Sequence, residues 1–141
     1  MLRMLLPTDG SETSLRAVDH LVQRLDWYRG PVELHLLNVQ HPISGDVSQF
    51  VNRDDIRQYH QDEGLNALQP ARARLDAAGV VYRVHIGVGE PASTIVRYAR
   101  EQQIDQIVMG ARGLGNIAGL LLGSTAIKVL HLAECPVLLV K

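Results

Sequence analysis

Between Met109 and Thr125 the chain reads MGARGLGNIAGLLLGST, with five glycines, one arginine and no carboxylate. Backbone without β-carbons lets N–H groups approach an anion closely. Gly110, Gly113 and Gly115 provide such backbone, and Gly123-Ser124-Thr125 sets two hydroxyls and free amides at the start of a helical stretch. The chemistry this composition suits is phosphate binding.

Two phosphate motifs do not apply. A P-loop carries a lysine between its last glycine and the Ser/Thr, whereas Gly123 leads directly to Ser124 and Lys128 sits a turn further on. GLGNIA, residues 113–118, fits a dinucleotide fingerprint by letter, with Glu134 about 20 residues on. That fingerprint belongs at a first βα turn with its acid closing the next strand, and Glu134 precedes its strand, so the match is chance in a glycine-rich stretch.

Other chemistries find little support. Six histidines, at 20, 35, 41, 60, 85 and 131, fall into no metal-ligand spacing, and the lone Cys135 adds no partner. Cys135, before Pro136 at a strand entry, reads as a buried, inert thiol. Asp9 can serve a nucleoside group or a magnesium-bound water, or simply make an Asp-Gly turn. Arg112 can reach a phosphate or stand in solvent, and His41 reads as a surface residue. Trp27 and Tyr28 read as packing residues. Phosphoryl transfer needs metal ligands and a group positioning the nucleophile, and the glycine-rich stretch contains neither. A phosphate-binding receptor is expected rather than a dedicated enzyme, with slow turnover of its ligand left open.

The elements that position these residues follow from the apolar pattern. LRMLLPTD is a strand stopped by Pro7 and Asp9-Gly10, and Ser11 caps a helix with apolar residues from Leu15 to Leu25, running to Gly30-Pro31. Residues 32–39 form a second strand, followed by a mobile loop, QHPISGDVSQFVN. From Arg53 to Ala78 the pattern is helical, with a kink or break expected near Gly64 and Pro70. VVYRVHI is the third strand, Pro91 opens a helix, IDQIVMG is the fourth strand, Ser124 to about Ala133 a short helix, and PVLLVK a fifth strand. Strands alternating with helices, each strand apolar enough to be covered on both faces, predict a three-layer α/β/α sandwich with a five-stranded, parallel, doubly wound sheet. Its ligand crevice lies at the carboxyl ends of the strands.

Composition narrows the class of partner. At 141 residues one domain spanning 1–141 is expected, and 14 basic against 15 acidic residues give no footprint for nucleic acid or an anionic membrane. No apolar run reaches the ~18 residues that span a bilayer, no signal peptide is recognisable, and a single cysteine excludes an intrachain disulfide. A cytoplasmic protein is expected.

The spacing Gly110-x2-Gly113-x9-Gly123-Ser124 resembles the ATP-binding signature of the universal stress protein family. MLRMLLPTDGSETS, HLLNVQ, GVGEPASTIVRYA and CPVLLVK resemble that family's opening strand, second strand, third-helix entry and closing strand, in order. The resemblance implies the adenine nucleotide α-hydrolase-like fold with strand order 3-2-1-4-5 and a role in stress response. It implies ATP or another adenine nucleotide as ligand, with or without Mg. Pro7, Thr8, Asp9 and Val39 would hold the adenosine. Gly110, Ala111, Arg112, Gly113, Leu114, Gly115 and Asn116 would wrap the ribose and phosphates, with Gly123, Ser124 and Thr125 at the phosphate tail. Ala111 stands where the family often has Ser or Thr. The family also pairs through its last strand, so a homodimer through 136–141 is expected. The alternative is a dimeric scaffold whose nucleotide is permanent or absent.

Overall fold

A computed structural model describes residues 1–112 and 122–141. Its sheet has the order β3-β2-β1-β4-β5, with β1 at Leu2–Pro7, β2 at Val32–Gln40, β3 at Tyr82–Val88, β4 at Gln106–Gly110 and β5 at Val137–Val140. Every pairing is parallel, with Met4 opposite both Leu34 and Gln106, Leu36 opposite Val84 and Val108 opposite Leu138. The order 3-2-1-4-5 expected from the resemblance is therefore the observed one.

Alternation along the strands divides the core into two layers. Met4, Leu6, Leu34, Leu36 and Val108 face α1 (Glu12–Gln23) and α3 (Arg53–Ala77), meeting Leu15, Val18, Leu21, Leu68 and Leu75. Leu5, Leu37, Ile107 and Met109 face the opposite way, against Ala92, Ile95 and Ala99 of α4 (Pro91–Glu101) and Ala126 and Val129 of α5 (Ser124–Leu132). A period of two in the strands and of three to four in the helices produces this division.

Several elements differ from the sequence pattern. Helix α1 stops at Gln23 and tightens into a 3-10 turn at Leu25–Trp27 instead of continuing to Gly30. Tyr28 packs on the core as expected, but Trp27 is 74% exposed, with the Arg24 guanidinium 5.1 Å from its ring centroid. Helix α3 runs unbroken through Gly64 and Pro70. Pro70 faces solvent, and Gly64 lies where a β-carbon would come within 2.7 Å of Ile86, so glycine here lets the helix approach β3. The segment expected as pure loop contains a four-residue helix, α2 (Gly45–Ser48). Coverage on both faces fails for the edge strand β3, where Val84 and Val88 are exposed. Cys135 is half-buried rather than buried, and partial burial pushes its thiol pKa up, the direction that keeps it unreactive.

Candidate functional site

At the carboxyl ends of β1, β2 and β4 lies a cavity of about 450 Å³, within the usual range of small-ligand sites, roughly 300–1,000 Å³. The doubly wound order creates it: β1 is followed by a connection to β2 on one side, while β4 lies on its other side, and the crossovers diverge between them. Pro7, Thr8, Asp9, Val39, Gly110, Arg112, Gly123, Ser124 and Thr125 all line it. Ala111 does not appear on its wall: it is buried, donating its N–H to Val140 O at 2.8 Å and accepting from Gly123 N–H at 2.7 Å. Gly113, Leu114, Gly115 and Asn116 lie outside the described residues.

The floor of the cavity is a chain of buried polar groups. Thr8 donates its N–H to Leu37 O at 2.8 Å, and its hydroxyl lies 2.7 Å from that of Ser14 in the first turn of α1. Ser11 caps that helix by accepting Ser14 N–H at 3.3 Å, as its position in the sequence predicts. Asp9 accepts Ser11 N–H at 2.9 Å, so the turn reading of this residue is realised while it also lines the cavity. Gly10 adopts φ +84°, and a β-carbon there would stand 2.9 Å from Ala67 O, which favours glycine at this turn.

Strand β2 turns backbone without a partner among the described residues toward the same space. In a parallel strand the N–H and C=O of one residue address the same neighbour. Leu37 O accepts from Thr8 and Gln40 O accepts from Gly89 N–H at 3.0 Å, so odd-numbered residues address β1 and even-numbered ones β3. Val39 thus points its N–H and C=O to the β1 side beyond Pro7, where that strand has ended. Ladder pairing would continue at Thr8 O, but this carbonyl accepts the Asn38 side-chain amide at 2.9 Å. Asn38 and Gln40, both on the cavity wall, were not singled out in the sequence. A buried asparagine closing the apolar run LHLL was the available signal.

Across the cavity stands the start of α5. Gly123 occupies the N-cap position, and no described side chain caps the helix. Among the described residues no hydrogen bond satisfies the N–H groups of Ser124, Thr125 or Ala126. Three open donors and the positive end of a nine-residue helix suit an anion. Lys128 does not join them: its Nζ lies 3.8 Å from Glu90 Oε1. Glu90 caps α4, accepting Ser93 N–H at 2.8 Å and Ala92 N–H at 3.2 Å, and these bonds hold its carboxyl below the usual range. Glu134 pairs with Arg100 at 3.2 Å on the surface, consistent with its having no part in a dinucleotide site.

Gly110 lines the cavity, but its missing β-carbon serves packing. A β-carbon at Gly110 would meet Thr13 O at 2.9 Å and Ser14 N at 3.2 Å, so glycine here lets β4 lie against the first turn of α1. His41, exposed as expected, also borders the cavity. Among the described residues no group of three His, Cys, Asp or Glu side chains could hold a metal, and no helix is long and apolar enough to cross a membrane.

Comparison with known proteins agrees with this architecture. The family model "Universal stress protein family" matches residues 1–141. Universal stress protein YxiE of Bacillus subtilis is 32% identical, covering 99% of this chain and 98% of its own. The solved structure of hypothetical protein MJ0577 superposes with a TM-score of 0.82 at 30% identity, covering 99% of this chain and 95% of that one. A universal stress protein solved in complex with cAMP gives a TM-score of 0.72 at 31% identity, covering 99% and 97%. The chain belongs to the universal stress protein family.

Proposed function

We propose that this protein is an adenine-nucleotide receptor, with ATP as its ligand, whose occupancy alters the loops at the cavity that a partner reads in a stress response. The observation that carries the reading is a pair of backbone surfaces on one cavity without partners among the described residues: the N–H and C=O of Val39 on one side and the N-terminus of α5 on the other. A purine edge presents a donor and an acceptor that a peptide N–H and C=O can match. A phosphate tail suits the three open amides with the hydroxyls of Ser124 and Thr125. In this reading Pro7, Thr8 and Asp9 flank the adenosine, and Gly110 through Asn116 close over the ribose and phosphates. The cAMP complex of a relative 31% identical supports the ligand class.

Asp9 is the one carboxylate among the described lining residues, so a bound magnesium would depend on it and on the phosphates. The receptor acts in the cytoplasm as a homodimer. Strand β5 ends the sheet, its four residues are half-buried, and two copies related by a twofold axis would pair these edges antiparallel. Sedimentation of the intact chain as a monomer at micromolar concentration would remove the dimer from the proposal.

Calorimetry with ATP, after mass spectrometry of nucleotide released from the denatured purified protein, tests the ligand. Wild-type protein is expected to bind ATP. Gly113→Val and Ser124→Ala are each expected to weaken binding at least about tenfold without changing the ligand-free melting temperature. No heat of binding with ATP or AMP would end the reading.

A further inference from the structure

We propose that Gln40 selects the base: its side-chain oxygen accepts a hydrogen bond from the 6-amino group of a purine, so the cavity takes 6-amino purines and rejects 6-oxo purines. This rests on the nucleotide reading above and adds the residue that sets its specificity.

The argument is one of hydrogen-bond polarity passed along a chain. Thr8 O, a backbone carbonyl, can only accept. The Asn38 side chain, 3% exposed, lies 2.9 Å from it and must therefore turn its NH₂ toward Thr8. That choice fixes the other end of the carboxamide, so Asn38 presents Oδ1 to its neighbour. Gln40 lies 2.7 Å from this oxygen and must answer with Nε2–H. Its own Oε1 is left over, with no hydrogen bond from any described residue. A glutamine free to flip would present either polarity and read nothing. This one is held in a single orientation by a backbone carbonyl two links away.

Gln40 and Val39 both stand on the cavity wall. Together they offer one donor, Val39 N–H, and two acceptors, Val39 O and Gln40 Oε1. Adenine presents a complementary set: a ring nitrogen that accepts and an exocyclic amine with two hydrogens. Hypoxanthine and guanine place an acceptor oxygen at the same position, opposite Gln40 Oε1, where two lone pairs would meet without a proton between them. The backbone of Val39 could adapt to a 6-oxo purine through a water. The fixed amide of Gln40 could do so only by breaking its bond to Asn38.

The test compares ATP with inosine triphosphate, which differs at the 6-position and the neighbouring ring nitrogen, by calorimetry. Wild-type protein should bind ATP at least about tenfold more tightly than inosine triphosphate, the worth of roughly one well-placed hydrogen bond. In Gln40→Leu and Gln40→Met, which neither accept nor donate, ATP should weaken while inosine triphosphate, relieved of the opposed lone pairs, tightens, the two changes together bringing the ratio near one. Circular dichroism of both variants confirms that the fold persists, as expected for a half-buried residue at a strand end. Equal binding of the two nucleotides by wild type, or an unchanged ratio in both variants, overturns the role of Gln40 and leaves the nucleotide reading standing. Failure of wild type to bind either nucleotide overturns both.

Discussion

Strand β2 carries buried polar residues at two places, and the two are built on opposite plans. Toward its start, His35 is 2% exposed and its Nδ1 lies 2.8 Å from Nε2 of His85 on β3, the rings nearly parallel at 10°. The ring of Tyr98 on α4 meets His85 edge-on at 5.6 Å. Beside the pair, Glu33 is held by Arg3 at 2.9 Å and Arg83 at 3.0 Å, and the Arg3 hydrogen bond keeps its carboxyl below the usual range. Toward the strand's end, Asn38, Gln40, Thr8 and Ser14 form the chain described above. The first cluster lies closed among neighbouring strands, where even the unbonded His35 Nε2 does not face the cavity, while the second borders the cavity with Val39 backbone and Gln40 Oε1 unbonded among the described residues. Burial of polar groups alone therefore does not mark a site. What marks it is polar capacity that the fold fixes in place and leaves without a partner on the wall of a cavity; His35 Nε2 lacks a partner but does not border the cavity.

The variant with the largest expected effect tests where that fixing comes from. Gly110→Val would drive side-chain atoms into Thr13 O and Ser14 N, both backbone. Neither can move without shifting the start of α1, so a loss of about 3 kcal/mol is expected in urea unfolding, at the upper end for an overpacked core. Nucleotide binding should fall with it, because Thr8 and Ser14 form the cavity floor. A stable Gly110→Val protein would mean that the β4–α1 contact is loose and the floor not rigid.

Next in size is the closed cluster. His85→Leu leaves His35 Nδ1 buried without its partner, at a cost of about 2 kcal/mol. Among the described residues His35 Nε2 already lacks a hydrogen bond, with Glu33 Oε1 at 3.8 Å, so the variant leaves both ring nitrogens buried without one. ATP affinity measured by calorimetry on the folded variant should be unchanged. A weakened affinity would show that the two ends of β2 are coupled and would break the comparison.

The open cluster should respond the other way. Asn38→Ala removes two hydrogen bonds at the cavity edge and should cost about 1 kcal/mol of stability. It also frees Thr8 O, which then becomes the ladder partner of Val39 N–H and takes that donor from the ligand. ATP affinity should fall at least about tenfold by calorimetry. Lost stability with intact affinity would place the base elsewhere.

How far the sequence reveals this contrast depends on what each feature requires. The order of strands and helices is legible because LRMLL, VELHLL and IVM are apolar runs bounded by Pro7, Gly30-Pro31 and Gly110, and because Ser11 and Pro91 announce helix starts. Edge exposure is less so: Val84 and Val88 look like core residues in a period-two pattern, and only the position of β3 at the margin exposes them. That Gly110 and Gly123-Ser124-Thr125 line the cavity could be read from the sequence, since they flank the fourth strand and open the last helix. The base side could not, because the value of Asn38 and Gln40 depends on where β1 ends relative to β2, a matter of register. Likewise His35 and His85 meet because Leu37, two residues on from His35, lies opposite His85, a relation no local pattern contains. Gly110 was legible as a glycine at the crevice, but its packing role was not, since its neighbour on α1 becomes visible only when β4 is packed.

The smallest effect is a slope with pH, and it separates the two clusters once more. Burial holds both His35 and His85 below the ordinary value of 6.5; Arg83 pushes both the same way, Arg3 adds to this at His35, and Glu33 opposes it there. Groups with depressed histidine pKa values bind fewer protons folded than unfolded, so stability rises with pH between the folded values and 6.5. Stability should therefore be complete above pH 6.5 and decline as pH falls below it, by no more than about 1.4 kcal/mol per pH unit for each proton. The pair at 2.8 Å shares one proton, and a second would set two N–H groups against each other. His20, also lowered by burial and by Arg24, adds a slope of the same sign that His85→Leu retains. The difference between wild type and variant, followed by urea midpoints from pH 7.5 to 5, isolates the pair and should shrink the slope in the variant. The open cluster holds no histidine among Thr8, Ser14, Asn38 and Gln40, so Asn38→Ala should keep the wild-type slope. An equal slope in wild type and His85→Leu would mean that His85 does not titrate with folding and that the closed cluster is held by packing alone.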